Sequence, residues 1–250
     1  MTPDLTSLTP CGAPRAIQDM DLSGALKVLV LAPHPDDFDA IGVTIRYLSR
    51  NGNPIHVGVA RTGSGVDDAQ GPGLTMAERA DLREHEQRRS LSFFGLPEQR
   101  LTFLALANDA DDRPVDSAEN AAAIGAFVAG TAPDLVFLPH GNDPNVGHRL
   151  MASFLRRAAR RSGHRFAAFL NRDPKTISMR TDVYTAFGQD EADWKAELLR
   201  FHDSQHQRNL RTRGHGFDAR ILEDNRKTAC ELSLTQPYAE AFEIVRHSEM

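Results

Sequence analysis

The chain has 250 residues, 40% hydrophobic and 25% charged, a balance that fills one apolar core and excludes disordered and fibrous classes. A formal net charge of -5 argues against a sequence-independent nucleic-acid binder, which needs a basic field, so the expected partner is a small molecule. No apolar run is long enough to span a bilayer, and residues 1–24 lack the basic-then-apolar order of a secretion signal, which makes the cytoplasm the expected compartment. Cys11 and Cys230, the two cysteines, sit near opposite ends without a Cys-x-x-Cys spacing. They suggest neither a thiolate metal site nor a disulfide framework and leave only a single long-range pairing open.

Residues 1–24 carry Pro3, Pro10 and Pro14 and read as an irregular surface arm ahead of one domain over 25–250. Residues 26–31 are branched and apolar and stop at Pro33 and Pro35, as in a strand buried on both faces. Ile41, Ile45 and Leu48 then recur at helical spacing, and 55–60 reads as the next buried strand. Thr75 with Glu78 makes a capping box that opens a long helix closed by Gly95. Strand-like 101–106, an Ala-rich helix over 117–128, strand 135–138, helix 148–161 and strand 166–170 continue the alternation. Such β-then-α order predicts an α/β domain with a doubly wound, mostly parallel sheet and helices on both faces. Beyond 171 the expected elements are a half-exposed strand over 177–187, one helix over 191–210 and a last strand over 238–245. The Gly-rich segment 62–73 reads as a substrate-side loop. It lacks the Gly-Lys-Ser/Thr of a phosphate loop.

The chemistry is concentrated in two places. His34-Pro35-Asp36-Asp37-Phe38-Asp39 follows the first strand, in the loop where α/β sheets bind ligands. In a sheet of 3-2-1-4-5 order the fourth strand lies beside the first, so the loop from His140 to His148 faces this segment across the switch-point crevice. His34, Asp37 and His148 then form a two-His, one-Asp set suited to zinc or a similar divalent ion. Asp36, next door, can act as general base toward water at the metal. Alone, His-Pro-Asp-Asp also fits a solvated tight turn, and His148 an ordinary helix-start histidine. Their predicted convergence favours the site. Arg149, Arg156, Arg157, Arg160, Arg161 and Arg165 read as a solvated basic face, and Trp194 as a packing residue.

On these residues the chain resembles the PIG-L/LmbE family of zinc-dependent N-deacetylases. The resemblance extends through Arg83 with Glu86, Ser204-Gln205 and Tyr238-Ala239-Glu240-Ala241-Phe242. It implies a Rossmann-like fold, Zn²⁺ held by His34, Asp37 and His148, Asp36 as base, and removal of an acetyl group from an N-acetylated amino sugar carried on a larger molecule. Two positions depart from the family pattern. Phe38 stands where a glutamate is usual, with Asp39 as a replacement carboxylate. Asn145 stands where a histidine usually assists the tetrahedral intermediate; an amide can donate a hydrogen bond to an oxyanion but cannot deliver a proton. Asp36 then carries both proton transfers, or His202 or His206 is recruited, or turnover is weak. A metal-dependent phosphoesterase and a catalytically weak metal-binding module are the competing readings, and the oligomeric state, a homo-oligomer included, is left open.

Overall fold

The computed structural model describes residues 12–67, 69, 72–161 and 163–250. Cys11 and its pairing lie outside the described residues, while Cys230 is a free, exposed thiol. No helix among the described residues is long and apolar enough to cross a membrane.

Strands β1 (Arg15–Ala16), β2 (Val28–Ala32), β3 (Ile55–Ala60), β4 (Leu101–Leu104), β5 (Leu135–Pro139), β6 (Ala167–Asn171), β7 (Val183–Phe187) and β8 (Tyr238–Arg246) form one sheet. Their order is β1-β7-β8-β6-β5-β2-β3-β4. The five strands from β4 to β6 are mutually parallel, which is the expected 3-2-1-4-5 arrangement with β2 beside β5. β8 runs antiparallel between β6 and β7, so the sheet is mixed at this end.

Alternation along β2 explains why it lies at the centre. Val28, Val30 and Ala32 face a core completed by Ile41, Ile45 and Leu48 of helix α2 (Gly42–Arg50). Leu29 and Leu31 face the opposite core, closed by Ile124 and Val128 of α4 (Ala118–Thr131) and Leu155 of α5 (Val146–Arg161). Side chains of successive residues leave a strand on opposite faces, so a run apolar at every position must be covered twice. Each such Leu contributes about 1.5–3 kcal/mol on burial.

Elements after β6 differ from the sequence expectation in three ways. The half-exposed strand shortens to β7 because residue 177 belongs to a loop, where Ile177 is 70% exposed and its N–H donates to the Asn142 carbonyl at 2.9 Å. The single helix becomes α6 (Gln189–Arg200) and α7 (Asp203–Arg213). They break at His202, whose backbone leaves the helical region (φ -85°, ψ 62°) as its ring reaches Asp39. A further helix, α8 (Phe217–Glu231), was not anticipated; its inward positions mix Phe217, Ile221 and Ala229 with Asp218, Asp224, Asn225 and Thr228, which dilutes the apolar signal of its buried face. The amino-terminal arm is also partly packed, with Arg15–Ala16 pairing with β7 and Ile17, Met20 and Leu22 buried.

Candidate metal centre and active-site cleft

β2 ends at Ala32, and two prolines force the chain out of the strand before the short helix α1 (Asp37–Ala40) begins. Between them Asp36 adopts φ 115°, a left-handed conformation that costs a non-glycine residue of order 1–3 kcal/mol. Two residues of helix α3 (Met76–Phe94) hold it there. The Asp36 N–H donates to Gln87 Oε1 at 3.1 Å, and the Arg83 guanidinium donates to Asp36 Oδ2 at 2.8 Å and to the Pro35 carbonyl. Arg83 also donates to the Ser64 carbonyl at 2.5 Å, tying the Gly63–Gly65 turn to the same point. Gln87 is used at both ends, since its Nε2 donates to Asp39 Oδ2 and Ser90 Oγ, each at 2.9 Å.

The loops after β2 and β5 meet as their strand order requires. Candidate ligand atoms of His34, Asp37 and His148 all lie within 4.8 Å of one another. His34 Nδ1 is 3.1 Å from Asp37 Oδ2, and His148 Nε2 is 3.5 Å from Asp37 Oδ1. Donors about 2.0–2.1 Å from a tetrahedral ion lie roughly 3.3 Å apart, so this spacing fits such an ion. His148 Nδ1 pairs with Asp143 Oδ2 at 3.0 Å. That contact keeps the proton on Nδ1 and leaves the Nε2 lone pair for a metal. Gly147 permits the convergence, because a Cβ there would stand 2.9 Å from His34 Nε2. Asp143, His148 and Asp173 form a second candidate group. Asp143 is already engaged at both oxygens, by His148 and by the Asn145 N–H at 2.6 Å, which makes it a support for the first set.

Burial works against ionisation of Asp37, but the facing His148 and His34 outweigh it and hold the carboxyl well below its ordinary range. Burial likewise opposes charge on His148, yet Asp37 and the bond to Asp143 push its pKa up to about 10. Without a metal these residues therefore behave as an ion-paired cluster, with a proton where a cation would sit. Asp36 responds differently. Burial raises its pKa, against the pull of Arg83.

Asn145 joins the group with a defined orientation. Its Oδ1 accepts from the Gly147 N–H at 2.9 Å, and its NH₂ has no hydrogen-bond partner among the described residues; both Asn145 and Asp36 border the same cleft of 760 Å³. His202 and His206 do not border it. His202 is fully buried with Nε2 2.6 Å from Asp39 Oδ2, and His206 Nδ1 lies 3.3 Å from Asp218. Phe38 is a core residue, and the fully buried Asp39, bound by Gln87, Ser90 and His202, is the third carboxylate of the first loop. Of the later quoted residues Gln205 borders the cleft, while Glu86, Ser204 and Glu240 are anchors. Glu86 accepts from the Ser204 N–H and hydroxyl at 2.6 and 2.7 Å, and Glu240 accepts from Lys195 and from the Val43 and Thr44 N–H groups at the start of α2. Trp194 packs against Arg46, Phe93 and Phe94, away from the cleft. The arginines of α5 also lie outside it: Arg157 pairs with Asp116, and Arg149 caps the carbonyls of Asp143 and Pro144. Sequence reasoning missed Asp143, Gln87 and Asp173. Asp143 had a visible signal, a carboxylate five residues before His148, whereas the other two depend on packing between distant elements.

No curated protein sequence matches the chain at a significant level. Among solved structures it is similar to N,N'-diacetylchitobiose deacetylase from Pyrococcus horikoshii, with 20% identity, TM-score 0.72, and coverage of 90% of this chain and 85% of that one. It also resembles the zinc-inhibited form of a teicoplanin deacetylase, with 15% identity, TM-score 0.62, and coverage of 88% and 98%. A third likeness is to GalB, the 4-carboxy-2-hydroxymuconate hydratase from Pseudomonas putida, with 18% identity, TM-score 0.66, and coverage of 88% and 96%. The fold alone therefore hosts more than one activity. The family description PIG-L, GlcNAc-PI de-N-acetylase, matches residues 29–159, just over half of the chain and the stretch containing both loops of the site. The chain belongs to the PIG-L family of de-N-acetylases.

Proposed function

We propose that this protein is a metal-dependent hydrolase that removes the acetyl group from an N-acetylated amino sugar or a related N-acetylated small molecule. The observation that carries the reading is the meeting of His34, Asp37 and His148 at ligand spacing, with Asp36 beside them lining the same cleft. Two imidazoles and a carboxylate without thiolate suit zinc, which supplies a Lewis acid for the acetyl carbonyl and lowers the pKa of a water it carries.

The protein's own groups divide the remaining work. Arg83 binds Asp36 through Oδ2 and leaves Oδ1 without a partner among the described residues, so Oδ1 is the atom offered to the water proton. Burial raises the Asp36 pKa, which makes the carboxyl able both to take that proton and to return it to the departing nitrogen. This two-way role is favoured because neither His202 nor His206 reaches the cleft. Asn145, which borders the cleft with its NH₂ unengaged among the described residues, donates to the oxygen that becomes negative as water adds to the carbonyl. Acetate and a free amine are the products.

The test is acetate release from a panel of N-acetylated amino sugars and their conjugates, with zinc and with other divalent ions after chelation. Metal-restored acetate release from at least one member is expected. Metal loading without acetate from any member, or phosphate release from phosphoesters instead, contradicts the proposal.

A further inference from the structure

His202 is a fully buried histidine that does not border the cleft and takes no part in the proton transfers of amide hydrolysis. It stands at the break between α6 and α7. There its N–H donates to the Leu199 carbonyl at 3.2 Å, and its carbonyl accepts from the Gln205 and His206 N–H groups at 3.1 and 2.9 Å. Both helices therefore fix the backbone from which the ring projects, and the ring Nε2 reaches Asp39 Oδ2 at 2.6 Å. Close by, Ser204 is clamped separately to Glu86 of α3 through its N–H and hydroxyl. The junction of α6 and α7 thus keeps a hold on α3 that does not pass through the ring.

From Asp39 the contacts continue toward the cleft. Asp39 Oδ1 has no hydrogen-bond partner among the described residues, so this carboxylate is held through Oδ2 alone. Oδ2 meets His202 Nε2, Gln87 Nε2 at 2.9 Å and Ser90 Oγ at 3.3 Å. The His202 contact is the shortest of these and the only one that comes from outside α3. A carboxylate accepts and does not donate, so it decides which end of the Gln87 amide faces it. With Nε2 turned to Asp39, Oε1 is left to accept from the Asp36 N–H at 3.1 Å. A reversed amide would set Nε2 against that N–H and Oε1 against the carboxylate, leaving buried groups unpaired. The Asp36 backbone needs the bond, because its φ of 115° lies in the left-handed region that disfavours a residue with a Cβ.

We infer that His202 is a positioning residue: acting through Asp39 and Gln87, it holds the left-handed turn that presents the Asp36 carboxylate to the cleft. The inference rests on the reading of Asp36 as general base, while the hold on the Asp36 backbone is measurable without any substrate. The ring borders neither the cleft nor the ligand set, so its loss should appear in kcat and leave KM and bound metal unchanged. Small misplacement of a reacting group costs up to about 10² in rate. A ring with only a structural role would lower stability and leave kcat as it was.

The test compares His202→Leu, His202→Gln and Ser204→Ala with wild type after zinc loading, by amide hydrogen exchange at Asp36, bound metal, melting temperature and the kinetics of acetate release. His202→Leu removes the donor to Asp39, His202→Gln keeps an N–H donor of similar reach, and Ser204→Ala loosens the neighbouring clamp without touching the path to Asp36. In His202→Leu the Asp36 amide should exchange about tenfold or more faster, as for a lost hydrogen bond. Its kcat should fall by about 10–10² at unchanged KM and bound metal, and both properties should return toward wild type in His202→Gln. Ser204→Ala should lower the melting temperature and keep kcat. In His202→Leu/Gln87→Leu, kcat should be no lower than in Gln87→Leu alone, because changes along one path do not add. If His202→Leu does not fold, His202→Asn, too short to place a donor at Asp39, is read in its place. Unchanged Asp36 exchange or kcat in that variant, loss of metal from it, or an equal fall of kcat in Ser204→Ala overturns the inference. Faster Asp36 exchange, with no acetate released by wild type from any N-acetylated amino sugar, supports the hold on Asp36 and contradicts the deacetylase reading. Acetate release by His202→Leu at the wild-type kcat does the reverse.

Discussion

Asp36 and Asp37 are adjacent and chemically identical, yet the backbone gives them different surroundings. The left-handed turn at Asp36 sends its carboxylate back to Arg83 on α3, while Asp37, the first residue of α1, faces His34 and His148. Asn145 is the third residue with an assigned task. Its amide is oriented by the Gly147 N–H, so Asn145→Ala should remove one donor to the developing oxyanion and leave the ligand set intact. A fall in kcat of about 10²–10³ is expected for a lost oxyanion donor, with metal content by elemental analysis unchanged. Full activity in Asn145→Ala would show that the amide has no such role.

At the scale of elements, helix α3 acts as the rigid backing of the first loop. Thr75 and Glu78 fix its start by a capping box, and Gly95, at φ 93°, fixes its end. Both signals were legible in the sequence. What they position was not, because Gln87 is one polar residue on a helix whose partner lies 51 positions away in the chain. Gln87→Leu should leave the Asp36 N–H and part of the Asp39 carboxylate unpaired in a buried site, at about 1–3 kcal/mol for each group. The expected result is a lower melting temperature together with a drop in kcat of tenfold or more at unchanged metal content. A variant that loses stability but keeps kcat would mean that Asp36 needs no such support. α8 was illegible for a related reason. Its buried face mixes Phe217, Ile221 and Ala229 with Asp218, Asp224, Asn225 and Thr228, so the periodicity is present while the hydrophobic contrast that reveals it is diluted.

For the molecule as a whole, the position of the site follows from strand order. Residues 26–31 and 135–138 read as buried strands, and their adjacency at the switch point brings His34 and His148 together although they are far apart in sequence. The part of the cleft lined by α7 and α8 could not be read this way, since it depends on how both helices fold back after β7. A bound metal would join the β2 loop to the start of α5, so its effect should extend to global stability. In the metal-free chain His148, raised to about 10 from 6.5, contributes stability that is complete below about pH 6.5 and is lost as pH rises toward about 10. Asp37, held low, contributes stability that is present above about 3.8 and lost on acidification through its depressed folded-state pKa. A metal needs the unprotonated Nε2 of His148, so proton competition fades as pH rises. The melting-temperature difference between zinc-loaded and chelator-treated protein should therefore widen between about pH 6.5 and 9. It should approach roughly 5–10 °C at a hundredfold excess over Kd, from about 2.7 kcal/mol of linkage at this chain length. A difference that is flat or narrows with pH would contradict the ligand assignment.

The division of labour between the paired aspartates is the centre of this account, and one paired measurement tests it most directly. Bound metal and acetate release are determined for Asp36→Asn and Asp37→Ala on a substrate that the wild type accepts. Asp37→Ala deletes a ligand and should lose both metal and activity. Asp36→Asn keeps the shape but cannot accept a proton, so it should retain the metal while turnover falls by about 10²–10⁴. Equal metal loss in the two variants, or near-normal turnover in Asp36→Asn, would contradict it.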